Sequence, residues 1–145
     1  MQDALQTLAA PVAPNARITD AYAVEELPGV TRDGRAVVRL VRPLEYRVGS
    51  KDSDEVIVVP VGFETDFASV PWGFRELFPQ LGPWARPAII HDWLYANRGL
   101  GRYSRADADR IFLEAMEVVG VPAWRRAPMY LAVRAGGARG WGRSG

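Results

Sequence analysis

The sequence predicts an α+β protein, with a small antiparallel β-sheet in the N-terminal half followed by a three-helix C-terminal half. Three stretches carry this expectation. "TRDGRAVVRL" at 31–40 sets an Asp-Gly pair, the two-residue loop of a tight hairpin, ahead of a β-branched run. "EVIVVPVGF" at 55–63 is a second such run. From Pro87 onward, apolar residues recur at helical spacing between proline, serine and glycine boundaries. At 145 residues the chain can bury one real core but not two ordinary ones, which predicts a single α+β domain over 18–137.

Residues 1–17 include "APVAPNA", where alanine and proline favour an extended N-terminal arm, free or bound to a neighbour. Ile18 to Phe63 reads as β structure, in which Pro43 and Pro60 mark strand ends, bulges or an edge. "KDSDE" at 51–55 resembles the start of a calcium loop but lacks its glycine and distal glutamate, so a solvent-facing turn is expected. Residues 65–87 are rich in aromatic residues, proline and glycine. They predict an irregular packed segment with one short helix near Trp72–Leu77.

The first helix of the C-terminal half has Pro87 in its opening turn and stops at "NRGLG". Ser104 with Asp107 three residues later is a capping-box start for the second, and Gly120 closes it. Pro122 opens the third, and Gly136 with Gly137 ends it. Residues 138–145 are expected to be a flexible, basic, glycine-rich tail.

Composition narrows the function classes. Apolar residues make up 48% and charged residues 24%, a balance that excludes a mainly disordered chain. A net charge of +1 gives no overall field toward nucleic acid or anionic lipid, and no specific nucleic-acid recognition is expected. The charge is uneven: Val121 to Gly145 holds five arginines and no carboxylate. That patch suits phosphate, lipid headgroups or an acidic partner, or it is simply a solvated face. With no cysteine and one histidine, disulfides, thiolate or all-histidine zinc sites and cysteine nucleophiles are excluded. No window approaches the roughly 20 apolar residues of a transmembrane segment, and the N-terminus lacks the pattern of a secretory signal.

The candidate chemistry centres on "HDWLY" at 91–95 and "ADADRIF" at 106–112. His91 and Tyr95 are four apart and share a helix face, with Asp92 turned about 100° away. Asp109 lies on a stripe with Phe112, Leu113 and Met116, where a carboxylate must be paired. Its expected partners are His91 and Tyr95, with Asp107 as the alternative if the helix register differs. Such a contact suits a catalytic trio, His91 as general base with Asp109 orienting it and Tyr95 in support. It suits a buried structural tie equally. Asp92 and Asp66 are candidate metal ligands, and hard oxygen donors favour calcium or magnesium. Thr65, Asp66 and Ser69 also fit plain turn chemistry.

The order His-Asp-x-x-Tyr, then a helical aspartate, resembles the secreted phospholipase A2 superfamily. The resemblance implies that His91 activates water, Asp92 binds calcium, Tyr95 supports, and Asp109 (or Asp107) orients the imidazole. The chain departs from that pattern: "GLG" at 99–101 follows the histidine instead of preceding it, and the cysteines are missing.

A longer resemblance covers residues 60 to 137. "TDFASVP", "HDWLY" and "ADADRIF" occur in the order found in a domain-of-unknown-function family encoded by tailed bacteriophages and prophages. This implies phage origin, and the expectation drawn from it is a virion protein of the tail or tail tip, assembled in the host cytoplasm, with other phage structural proteins and the host envelope as partners. A metal-assisted hydrolase cutting an ester or amide bond of that envelope is the alternative. A non-virion phage accessory protein that binds a host factor is the third.

Overall fold

The computed structural model describes residues 17–19, 22–67 and 84–142. It divides into two compact units, Met1–Asp66 and Phe67–Gly145, whose boundary falls inside the span expected as a single domain. The expected arm up to residue 16, the short helix near Trp72–Leu77, Ser69 and the last three residues of the tail lie outside the described residues. The architecture is the expected one: α+β, antiparallel strands followed by three helices.

The first unit holds β1 (Val24–Arg32), β2 (Arg35–Leu40), β3 (Leu44–Arg47), β4 (Val56–Val59) and β5 (Glu64–Thr65). β1 and β2 form the hairpin around Asp33–Gly34, whose φ values of +49° and +77° suit the right-handed twist of the strands it joins. Its register slips between Glu26 and Thr31, a bulge the sequence did not announce. β5 pairs with the other side of β2, for the order β1-β2-β5.

β3 and β4 form a separate antiparallel pair. Pro43 stands directly before β3 and Pro60 directly after β4, where a missing N–H breaks no ladder bond. Alternate residues point inward: Leu44 faces Val59 and Tyr46 faces Ile57, and all four are buried. Val37, Leu40 and Ile18 are buried in the same unit. Residues 51–55 lie in the β3–β4 connection, with Asp52, Asp54 and Glu55 exposed, as a solvent-facing turn requires.

The second unit holds α1 (Ala85–Ala96), α2 (Arg105–Val118) and α3 (Ala123–Gly136). α2 packs against both α1 and α3. α1 buries nine of its twelve residues, so it is covered nearly all round, as expected of a central helix. At its end Arg98, Gly99, Leu100 and Gly101 all take positive φ. Arg98 and Leu100 are strained in that conformation. This left-handed turn reverses the chain toward α2.

Both ends of α2 follow from sequence. Ser104 Oγ accepts from the Asp107 N–H at 3.0 Å, and Asp107 Oδ2 accepts from the Ser104 N–H at 3.0 Å, a full capping box. At the other end Gly120 adopts φ +87°, its N–H bonds to Glu117 O, and the Val121 N–H bonds to Met116 O. That pair of bonds is a Schellman stop. Pro122 is the N-cap of α3.

The tail differs from expectation. Through Gly142 it is folded: residues 137–140 form a short 3-10 turn, the Gly142 N–H donates to Tyr95 O at 2.8 Å, and Trp141 packs edge-on against the Tyr95 ring at 5.2 Å. Glycine content suggested mobility, but an aromatic residue within the run anchors it.

Candidate functional site

α1 supplies His91 and Tyr95, one helical turn apart, and α2 supplies Asp109. All three meet. Asp109 Oδ1 lies 2.7 Å from His91 Nε2 and accepts from the Tyr95 hydroxyl at 2.6 Å. The choice between Asp109 and Asp107 is thereby resolved: Asp107 is spent on the α2 cap and pairs with Arg110.

Two further groups, which sequence reasoning missed, take the other oxygen. Arg134 Nη1 from α3 donates to Asp109 Oδ2 at 2.8 Å, and Arg105 Nη1 from α2 lies 3.6 Å from it. Arg105 also donates to the carbonyls of Val133 and Arg134 and reaches the Tyr95 hydroxyl at 3.4 Å. One carboxylate thus ties together side chains from three helices. Part of the arginine-rich C-terminal patch is therefore inward-facing structure.

Asp109 and His91 are both fully buried. Burial pushes the Asp109 carboxyl up, but the hydrogen bonds from His91, Tyr95 and Arg134 outweigh it and leave its pKa below the ordinary value. The aspartate is an anion. Burial lowers the pKa of His91, opposed by its bond to Asp109, so the imidazole is neutral. A neutral ring facing a carboxylate carries its proton on Nε2 and leaves a lone pair on Nδ1. That Nδ1 is buried and has no hydrogen-bond partner among the described residues. Tyr95 stays protonated, its pKa raised by burial and by the bond to Asp109.

The ring is fixed by stacking as well. Its centroid lies 4.2 Å from that of Tyr95 and 4.7 Å from that of Phe112. Behind Tyr95 the C-terminus of α3 comes so close that a Cβ on Gly137 would sit 2.5 Å from the phenol oxygen. Only glycine fits there.

The proposed metal ligands lie in different units. Asp66 belongs to the first unit, where its Oδ2 receives Arg35 Nε at 3.2 Å and lies 3.1 Å from Arg35 Nη2. Asp92 is buried on α1. Among the described residues no group of three or more His, Asp or Glu side chains is arranged to hold a cation. The expectation of calcium therefore has no assembled ligand set among them. Nor is any helix among them long and apolar enough to cross a membrane.

Comparison with known proteins adds two findings. Over 77 residues the chain is 32% identical to "Uncharacterized protein y4jT" of Sinorhizobium fredii (strain NBRC 101917 / NGR234), an alignment that takes in 52% of this chain and 22% of that protein. The chain thus matches about a fifth of the relative's length. No solved structure matches it. Residues 38–133, a span that includes His91, Tyr95 and Asp109, match the family described as "Protein of unknown function (DUF1353)", and the chain belongs to that family.

Proposed function

We propose that the chain is a component of a bacteriophage particle, of the tail or its tip, whose helical unit carries a hydrolase-type His–Asp pair directed at an ester or amide bond of the host envelope. The observation that carries the chemistry is the difference between the two nitrogens of His91. Nε2 is held by the Asp109 anion, while Nδ1 keeps a lone pair with no partner among the described residues. In this reading Nδ1 removes a proton from water as the oxygen attacks the carbonyl carbon, Asp109 stabilises the imidazolium that forms, and that proton passes to the departing alcohol oxygen or amine nitrogen as its bond to the acyl carbon breaks. Tyr95 and Arg134 hold Asp109 in place and touch no substrate.

Support for the particle comes from the ordered phrases "TDFASVP", "HDWLY" and "ADADRIF" and their resemblance to phage-encoded proteins. The partners in this reading are other particle proteins and the host envelope, and the location is the assembled particle. Mass spectrometry of purified particles from the encoding host checks it. Presence at a fixed copy number is expected, and absence would transfer the chain to the non-virion accessory class.

A second reading is favoured by burial. With His91 and Asp109 both removed from solvent, the cluster can act purely as a tie between helices. His91→Gln separates the two, because a glutamine amide can still donate to Asp109 but offers no basic nitrogen. The hydrolase reading expects an intact fold and a loss of about 100-fold or more in turnover of envelope esters or amides. Unchanged turnover in the variant, or none in the wild type, leaves the tie.

A further inference from the structure

α3 has two apolar faces where a surface helix needs one. Met129 and Val133 are buried and define its inner side. The side turned farthest from them carries Trp124, Ala127, Pro128, Leu131 and Ala135, all exposed and none polar. Trp124 keeps 70% of its surface open and Leu131 64%. A helix facing water normally places charge there. Successive residues turn by about 100°, which puts these five within one stripe running the length of the helix.

Arginine borders the stripe. Arg125 falls on one edge, with its guanidinium over the Trp124 ring at 4.6 Å, while Arg134 on the other edge is already paired with Asp109. No Asp or Glu occurs anywhere from Val121 to Gly145. A convex apolar stripe with Arg125 at its edge and no carboxylate in its segment complements a flat surface that is anionic outside and apolar beneath. Trp124 has the apolar body and single N–H suited to such a boundary.

We infer that the outward face of α3 binds the surface of an anionic lipid bilayer, lying in its plane with Trp124 and Leu131 sunk below the headgroups. The contact is peripheral. It does not depend on the chemistry of His91, and Trp124 and Leu131 take no part in the buried cluster.

Pelleting of the full chain with sucrose-loaded vesicles tests this. Vesicles containing phosphatidylglycerol should carry down about tenfold more protein than pure phosphatidylcholine, and added salt should weaken the uptake. Leu131→Asp and Trp124→Ser should each reduce uptake about tenfold while leaving the melting temperature unchanged, since both side chains are exposed. Failure of the wild type to pellet, or equal pelleting of Leu131→Asp, overturns the inference. A wild-type dimer without lipid uptake, split into monomers by Leu131→Asp, overturns it also and assigns the stripe to a second copy.

Discussion

Asp109 is the residue on which the helical unit turns, because three hydrogen-bond donors and a second arginine at 3.6 Å converge on its two oxygens with no solvent to replace them. Asp109→Asn keeps the shape but removes the charge and aims an amide N–H at groups that also donate. Breaking a buried ion pair on one side costs about 3–5 kcal/mol, so urea unfolding should show a loss of that order. Acid acts through the same cluster. The folded pKa of His91 lies below its ordinary 6.5, so the unfolded chain takes up this proton first. Its contribution is complete above pH 6.5 and fades as pH falls from there toward the lowered folded value. Asp109 follows the same sign from 3.8, its contribution being lost only in stronger acid. Denaturant midpoints at about pH 8 and about pH 5 should therefore differ in the wild type and converge in His91→Gln. The contacts among His91, Tyr95 and Asp109 were legible because four-residue spacing and an apolar stripe limit where such groups can point. Arg134 was not, because one arginine among five in a run without carboxylates has nothing local to single it out. Arg105, four residues before Asp109 on the same helix, did leave a signal.

At the scale of elements, the boundaries that chemistry sets locally were the ones the sequence announced. The Ser104–Asp107 box, the Gly120 stop and the Asp33–Gly34 turn each depend on a few adjacent residues whose preferences do not wait for tertiary structure. Ser104→Ala should cost about 1 kcal/mol, read as a lower denaturant midpoint with an unchanged slope. What depends on packing was hidden. Nothing in "ARPAIIHDWLYA" says that water is kept from almost every side of α1, and the Glu26–Thr31 slip arises only when two strands are laid together. The left-handed run from Arg98 to Gly101 was half visible, since two of its residues are glycines while Arg98 and Leu100 are not residues that choose positive φ.

For the whole molecule, length and composition fitted one domain, while the strands and the helices gather into separate compact units. Residue counts limit how much surface can be buried but do not say into how many pieces. The family match runs from Val38 in β2 to Val133 in α3 and so crosses both units. Within the helical unit, contacts join its beginning to its end: Arg134 grips Asp109, and Gly142 and Trp141 close over Tyr95. A chain emerging from the ribosome presents α1 and α2 while these groups are still inside the exit tunnel. During that interval the carboxylate at 109 lacks the arginine from α3, so the first two helices have no finished core to settle into. Synthesis therefore sets the moment of folding, and the unit should acquire protease resistance in one late step. Nascent chains carrying a C-terminal linker and arrested with residue 133 as the last outside the tunnel should be digested, and those whose linker is long enough for residue 142 to clear it should survive.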